Sequence, residues 1–205
     1  MKVLIINGSP RQDGNTTIAV NEIAKTLSEN GVESEIIEIG AKDIRGCIAC
    51  GHCFTAGKCA FNDIVNETAE KFEKADGLIV ASPVYYASAN GTLISFLDRL
   101  FYSSHFDKTM KVGASVAVCR RGGASATFDE LNKYFGISGM TIAGSQYWNI
   151  VYGRAKGDAE SDGEGLQTMR TLARNVAFLI KSIALGKEKF GLPEKEEKII
   201  TSFIK

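Results

Sequence analysis

Neither sign of charge prevails in this chain. Across 205 residues, 24 lysines and arginines face 24 aspartates and glutamates, for a formal net charge of zero. Without a basic surplus there is no electrostatic footprint for nucleic acid or for an anionic membrane surface, so neither partner is expected. Long apolar runs are missing as well. Val3-Leu-Ile-Ile6 is strand-sized and far too short to cross a bilayer. Met1-Lys2 leads straight into that run, with no apolar stretch or cleavage site of a secretion signal, and the expectation is a cytoplasmic protein. Internal repeats and low-complexity segments are absent. A chain of this length buries roughly 70% of its unfolded surface and needs no disulfides. Cysteine is scarce, five in all. In a reducing compartment, clustered cysteines point to metal ligation or redox chemistry rather than to structural bridges.

The pattern that is present alternates strands with helices. Lys2–Ile6 is a continuous β-branched run ending in Asn7-Gly-Ser-Pro10, as in a parallel strand buried on both faces. Val20, Ile23, Ala24 and Leu27 recur at helical spacing, and Gly31 stands at the helix stop. Further strands are expected at Ser34–Ile39, Gly77–Ala81 and Val112–Cys119, with an extended or broken fifth over Met140–Ile142 and Tyr147–Tyr152. Helices are expected over about 63–75, along Leu93–Phe101, over about 125–135 and over about 163–185. Such alternation builds βαβ units and a parallel sheet. The fold class is therefore α/β, a doubly wound five-stranded parallel sheet in the order 2-1-3-4-5, with ligands at the carboxyl ends of the strands. One domain is expected over residues 1–185, with a cysteine-rich insert at 46–60 and a charged tail over 186–205.

Three loops fall at those carboxyl ends. The first, Gly8-Ser-Pro-Arg-Gln-Asp-Gly-Asn-Thr-Thr17, follows a strand and opens a helix, where free N–H groups and the helix dipole favour an anion. Ser9, Asn15, Thr16 and Thr17 add side-chain donors, and Arg11 can pair with a phosphate. The loop holds neither a Gly-Lys-[Ser/Thr] P-loop nor G-x-G-x-x-G, so a monophosphate fits it better than a dinucleotide. The second, Ser82-Pro-Val-Tyr-Tyr-Ala-Ser-Ala-Asn-Gly91, can hold a flat ring by backbone contacts and an aromatic edge through Pro83, Val84, Tyr85 and Tyr86. The alternative is a surface loop whose tyrosines pack on neighbours. In the third, Arg120, Gly122 and Gly123 allow a ligand to approach the backbone closely, or make an ordinary strand-to-helix turn.

The cysteines form the sharpest signal. Cys47, Cys50, Cys53 and Cys59 read C-x2-C-x2-C-x5-C. Iron–sulfur clusters favour tight C-x2-C-x2-C runs. Zinc more often takes two separated pairs, here with His52 as an alternative ligand, and free redox-reactive thiols are a further reading. Cys119, at a strand end, reads as a small core hydrophobe. The acidic run Asp158–Glu164 resembles the start of a calcium loop, but Met169 stands at its twelfth position, where a glutamate is required. Ser161 or Asp162 as a helix cap explains that run better.

Together these loops carry a family resemblance. Gly8-Ser-Pro-Arg…Gly-Asn-Thr16, Ser82-Pro-Val-Tyr85 and Leu97-Asp98-Arg99 resemble the NAD(P)H-dependent FMN reductases of the flavodoxin-like superfamily. With the four cysteines added, the chain is most similar to the iron–sulfur flavoproteins of anaerobic microbes, over residues 1 to about 185. The acidic residues that often follow the last cysteine there are reduced here to Asn62-Asp63. The resemblance implies FMN at Ser9, Arg11, Asn15, Thr16, Thr17, Pro83, Val84, Tyr85 and Tyr86. It implies a [4Fe-4S] cluster on the cysteines, near a subunit interface of a homodimer or homotetramer. It also implies electron transfer from NAD(P)H or a reduced ferredoxin-like donor to a small acceptor, with no catalytic acid or base required of the protein. A plain reductase without a cluster and a non-catalytic electron carrier are the alternatives.

Overall fold

Side chains along a strand point alternately to opposite faces. In β1 (Lys2–Asn7), Val3 and Ile5 therefore enter one core and Leu4 and Ile6 the other. In this computed structural model, which describes residues 1–203, all four are fully buried. Residues 204 and 205 of the expected tail lie outside the described residues.

The chain continues through α1 (Asn15–Glu29) to β2 (Glu33–Glu38), which pairs parallel with β1. It then runs without regular structure into a short helix, α2 (His52–Ala56), followed by α3 (Ile64–Lys74). β3 (Gly77–Tyr85) pairs parallel with β1 and turns into β4 (Ser88–Ala89). After α4 (Gly91–Ser103) come β5 (Val112–Cys119), α5 (Ala124–Ile137), β6 (Thr141–Ile142) and β7 (Ile150–Tyr152). A 3-10 turn at Asp158–Ser161 leads into α6 (Gly163–Phe190). The sheet order is β2-β1-β3-β5-β6, with β7 also on β5, which is the expected 2-1-3-4-5 order with its fifth strand in two pieces. One core lies under α1 and α6, the other under α3, α4 and α5.

Four details differ from the pattern read in the sequence. First, β6 and β7 pair with opposite ends of β5, and the chain leaves the sheet between them. Buried Asn149 patches the gap: its side-chain amide donates to the Ser115 carbonyl (3.0 Å), and its carbonyl accepts from Ala117 N–H. Second, β3 continues past Pro83 to Tyr85, because Val84 and Tyr85 gain an antiparallel partner in β4. Third, α5 runs on to Ile137, past the expected end near 135. Fourth, α6 persists to Phe190, beyond the expected end near 185, and stops at Gly191 (φ 75°). Asp162 caps α6 by accepting from Gly165 N–H (2.9 Å). No helix among the described residues is long and apolar enough to cross a membrane.

Candidate cofactor sites at the carboxyl edge of the sheet

The first loop is built by close backbone packing. Gly8 N–H donates to the Ala81 carbonyl (2.8 Å), tying the loop to the end of β3. A Cβ on Gly8 would lie 2.9 Å from Leu93 of α4. Gly40 is tighter still: its Cβ would stand 2.2 Å from the Ser9 carbonyl carbon and 2.4 Å from the Gly8 oxygen. Only a residue without a side chain lets the segment after β2 pass under this loop. Ser9 is buried, its N–H donates to Asn7 Oδ1 (3.0 Å), and its hydroxyl accepts from Arg11 N–H (3.2 Å). Gly14 caps α1 with no side-chain partner, so the first N–H groups of the helix lack the usual internal acceptor. That is the arrangement an anion completes.

The sequence-derived donors divide here. Arg11 is exposed and its guanidinium makes no hydrogen bond or ion pair among the described residues, while Thr16 is buried beside Gly14. The Thr17 hydroxyl is engaged, donating to the Gln12 carbonyl (2.8 Å) and accepting from Asn7. Asn15 turns sideways: its amide donates to the Ala155 carbonyl (2.9 Å) and accepts from Ala159 N–H (3.2 Å). It ties α1 to the turn before α6, and Gly153 packs so closely that a Cβ there would stand 2.5 Å from its amide.

The second and third loops meet. Tyr86 sits at the tip of the β3–β4 hairpin with a left-handed φ of 57° and a fully exposed ring; Tyr85 is about half exposed. Gly123, at φ 85°, tucks beneath that tip, where a Cβ would stand 2.8 Å from Val84 Cγ1 and 3.1 Å from the Tyr86 carbonyl. Pro83 and Val84 are half-buried, Arg120 is exposed, and Gly122 faces open space. Ser82 holds the base of the hairpin, its hydroxyl accepting from Asn90 N–H (2.9 Å) and donating to the Pro83 carbonyl (2.8 Å). Asn90 in turn caps α4. All three loops thus lie at one edge of the sheet, and α4 starts there.

The cysteine run lies further along α4. All four cysteines line one cavity of about 320 Å³, together with Ile48, Phe54, Phe61, Arg99 and Tyr102; His52 does not line it. All are free thiols, Cys47 and Cys50 exposed, Cys53 and Cys59 half-buried. Among the described residues, no three His, Cys, Asp or Glu side chains are grouped to hold a single metal ion. Four cysteine sulfurs around one mainly apolar hollow are a donor set of the kind that iron–sulfur clusters take. The chain bends around the hollow at two left-handed residues, Ala49 (φ 52°) and Gly51 (φ 71°). The N–H groups of residues 46–51 donate to no acceptor among the described residues.

Cys59 is held differently. Asn66 of α3 accepts from Cys59 N–H (2.9 Å) and donates to the carbonyls of Cys59 and Phe61 (both 3.1 Å). Arg99 of α4, 1% exposed, donates from Nε to Cys59 Sγ (3.3 Å). Its two terminal nitrogens reach the two Asp63 carboxylate oxygens (2.7 and 2.8 Å), a bidentate fork. Phe61 lies 5.0 Å from the guanidinium, which also donates to the Arg45 and Phe61 carbonyls. Burial alone would push the guanidinium down, but Asp63 and Cys59 outweigh it and hold it above its ordinary value. Asp63 also caps α3, accepting from Val65 N–H (3.1 Å). Cys119, buried at the end of β5, is remote from this cavity's lining, and burial raises its thiol.

Gly40, Asn66 and the Asp63–Arg99 pair escaped the sequence reading. The reduced acidic stretch Asn62-Asp63 and the Leu97-Asp98-Arg99 element were visible in it, but nothing in one dimension joined them.

Comparison with known proteins shows the family. A family model described as NADPH-dependent FMN reductase matches residues 1–155. An iron–sulfur flavoprotein of Methanocaldococcus jannaschii is 38% identical over 89% of this chain and 99% of its own length. One from Methanosarcina thermophila is 31% identical over 92% of this chain and 100% of its own. Among solved structures, a flavodoxin from the domain Archaea superposes with a TM-score of 0.59 at 15% identity, covering 88% of this chain and 99% of that one, a likeness of fold alone.

Proposed function

This chain belongs to the NADPH-dependent FMN reductase family and is an oxidoreductase, and we propose that it moves electrons from NAD(P)H or a reduced ferredoxin-like donor, through FMN and a [4Fe-4S] cluster, to a small acceptor. The observation that carries this reading is the cavity lined by all four cysteines, on the same helix that begins at the hairpin of the second loop. From Gly91 to Arg99 along α4 is about 12 Å at 1.5 Å per residue.

When bound, FMN would supply two-electron chemistry and the cluster single-electron chemistry. The rest is the work of the chain. The open N–H groups at the start of α1, with Ser9, Thr16 and exposed Arg11, would hold the phosphate; Asn15 would contribute its main-chain N–H while its side chain braces the loop. Thr17, its hydroxyl already bonded to Asn7 and Gln12, would stiffen the turn. Pro83, Val84, Tyr85 and Tyr86 would flank the ring, with Gly123 beneath the hairpin tip and Arg120 and Gly122 on the open side of the same loop. Cys47, Cys50, Cys53 and Cys59 would hold the cluster. Exposed Ile48, Phe54 and Tyr102 ring the cavity mouth and support a second copy of the chain covering it. No general acid or base is asked of the protein.

The test is a spectrum of protein purified without oxygen, before and after dithionite, with iron and sulfide assayed on the same sample. Flavin bands, a broad visible shoulder and about four irons per chain are expected. Flavin bands without iron would leave a plain NAD(P)H-dependent reductase. Stopped-flow mixing then assigns the donor: fast bleaching by NADPH supports the nicotinamide, and bleaching only by reduced ferredoxin supports the protein donor.

A further inference from the structure

We propose that Arg99 is a positioning residue for the iron–sulfur centre: clamped by Asp63, it fixes the Cys59 sulfur and raises the reduction potential there. The proposal rests on the cluster reading above and adds to it a residue outside the cysteine run. Its basis is geometric. An arginine is almost never fully buried unless it is paired. Here the guanidinium is buried, and five donor contacts use its whole edge: two to Asp63, two to the Arg45 and Phe61 carbonyls, and one to Cys59 Sγ. A structural ion pair would be complete with Asp63 and the carbonyls. The remaining Nε–H is spent on a sulfur that lines the cavity.

The direction of the effect follows from charge. Reduction adds an electron, so a hydrogen bond and a positive charge at a ligating sulfur favour the reduced form and raise the potential. The Asp63 carboxylate, on the far side of the fork, partly neutralises that charge. The two partners therefore pull the potential in opposite directions, although both hold the same sulfur in place. Arg99→Gln removes the donor charge and leaves the carboxylate, so reduction becomes harder. Asp63→Asn keeps the helix cap, since asparagine caps as well as aspartate, keeps an oxygen for the arginine, and leaves the positive charge less compensated, so reduction becomes easier. Arg99→Lys retains the charge without the fork and falls between the wild type and Arg99→Gln.

The experiment is potentiometric titration of the holoprotein, followed by electron paramagnetic resonance, for wild type, Arg99→Gln, Arg99→Lys and Asp63→Asn, with iron content and melting temperature measured alongside. The expected result is a tenfold fall in the reduction equilibrium for Arg99→Gln, which is about 59 mV more negative for one electron, and a smaller positive shift for Asp63→Asn. Unchanged potentials in iron-loaded variants, or shifts of the same sign in both, overturn the proposal and leave the cluster reading standing. Should Arg99→Gln fail to fold, the sign of the Asp63→Asn shift decides alone. Iron absent from anaerobic wild type overturns the cluster reading, and this proposal with it.

Discussion

The first loop sits at the carboxyl edge of the sheet and the cysteine run lies further along α4, and the two are built in opposite ways. The loop over residues 8–14 is closed by short bonds and close packing: Gly8 bonds to β3, Ser9 to the Asn7 side chain, Gly14 to Arg11, and Gly40 packs directly against Gly8 and Ser9. The stretch over residues 46–51 has no such bonds, carries a left-handed alanine, and exposes two of its thiols. Further along the run Cys59 is fixed, where Asn66 and Arg99 grip it. The first site is shaped by the fold before anything binds. The second has one cysteine, Cys59, held by side chains of α3 and α4, and under the proposed reading the other three would take their final geometry from the group they bind. This matches the chemistry: a phosphate is recognised by a rigid array of donors, whereas a cluster brings its own strong bonds and can organise a loosely supported chain.

The comparison breaks most readily at Gly40. Gly40→Val would place a branched side chain against the backbone of Ser9, which cannot move aside without carrying the loop with it. The expected cost is about 3 kcal/mol or more in stability. FMN binding, followed by quenching of its fluorescence, should be lost, while Cys59 keeps its partners. Retention of wild-type FMN affinity would show that the loop is not pre-formed. Asn66→Ala tests the other side. It removes three hydrogen bonds around Cys59 and Phe61, at about 1 kcal/mol each when partly exposed. Iron should be lost faster to a chelator, with FMN affinity unchanged. If iron retention is unaffected, Cys59 is not the anchored ligand.

Most of the architecture was legible because it rests on local patterns. The apolar run of β1, the helical spacing of Val20, Ile23 and Leu27, and the cap before α6 each act over a few residues, and α6 begins where expected even though it ends later. The expected 2-1-3-4-5 order follows from a general rule for βαβ units. What stayed hidden depends on residues distant in sequence. Asn149 repairs a sheet gap at Ser115, 34 positions away. Gly40 looks like any loop glycine until Ser9 is folded against it. Asp63 and Arg99, 36 positions apart, carry no sign of one another in the sequence until their fork is seen. Asn15 shows the limit from the other side: its type and position suit a phosphate donor, but the 155–159 turn claims its side chain.

Gly57 gives the smallest effect and the sharpest control. It ends α2 at φ 67°, donates its N–H to the Cys53 carbonyl (3.0 Å), and has nothing within 4 Å of where a Cβ would stand. Gly57→Ala therefore meets no steric obstacle and pays only for a left-handed backbone, about 1 kcal/mol. In a chain of this size that is a fall of about 3 °C in melting temperature. Gly40, by contrast, is demanded by packing rather than by conformation, since a Cβ there would stand 2.2–2.4 Å from backbone atoms. If the two sites are independent, Gly57→Ala should lower the melting temperature slightly and leave FMN affinity at the wild-type value. A loss of FMN comparable to that of Gly40→Val would mean that strain in the cysteine run reaches the phosphate loop through the segment between them. The two sites would then have to be treated as one cooperative unit.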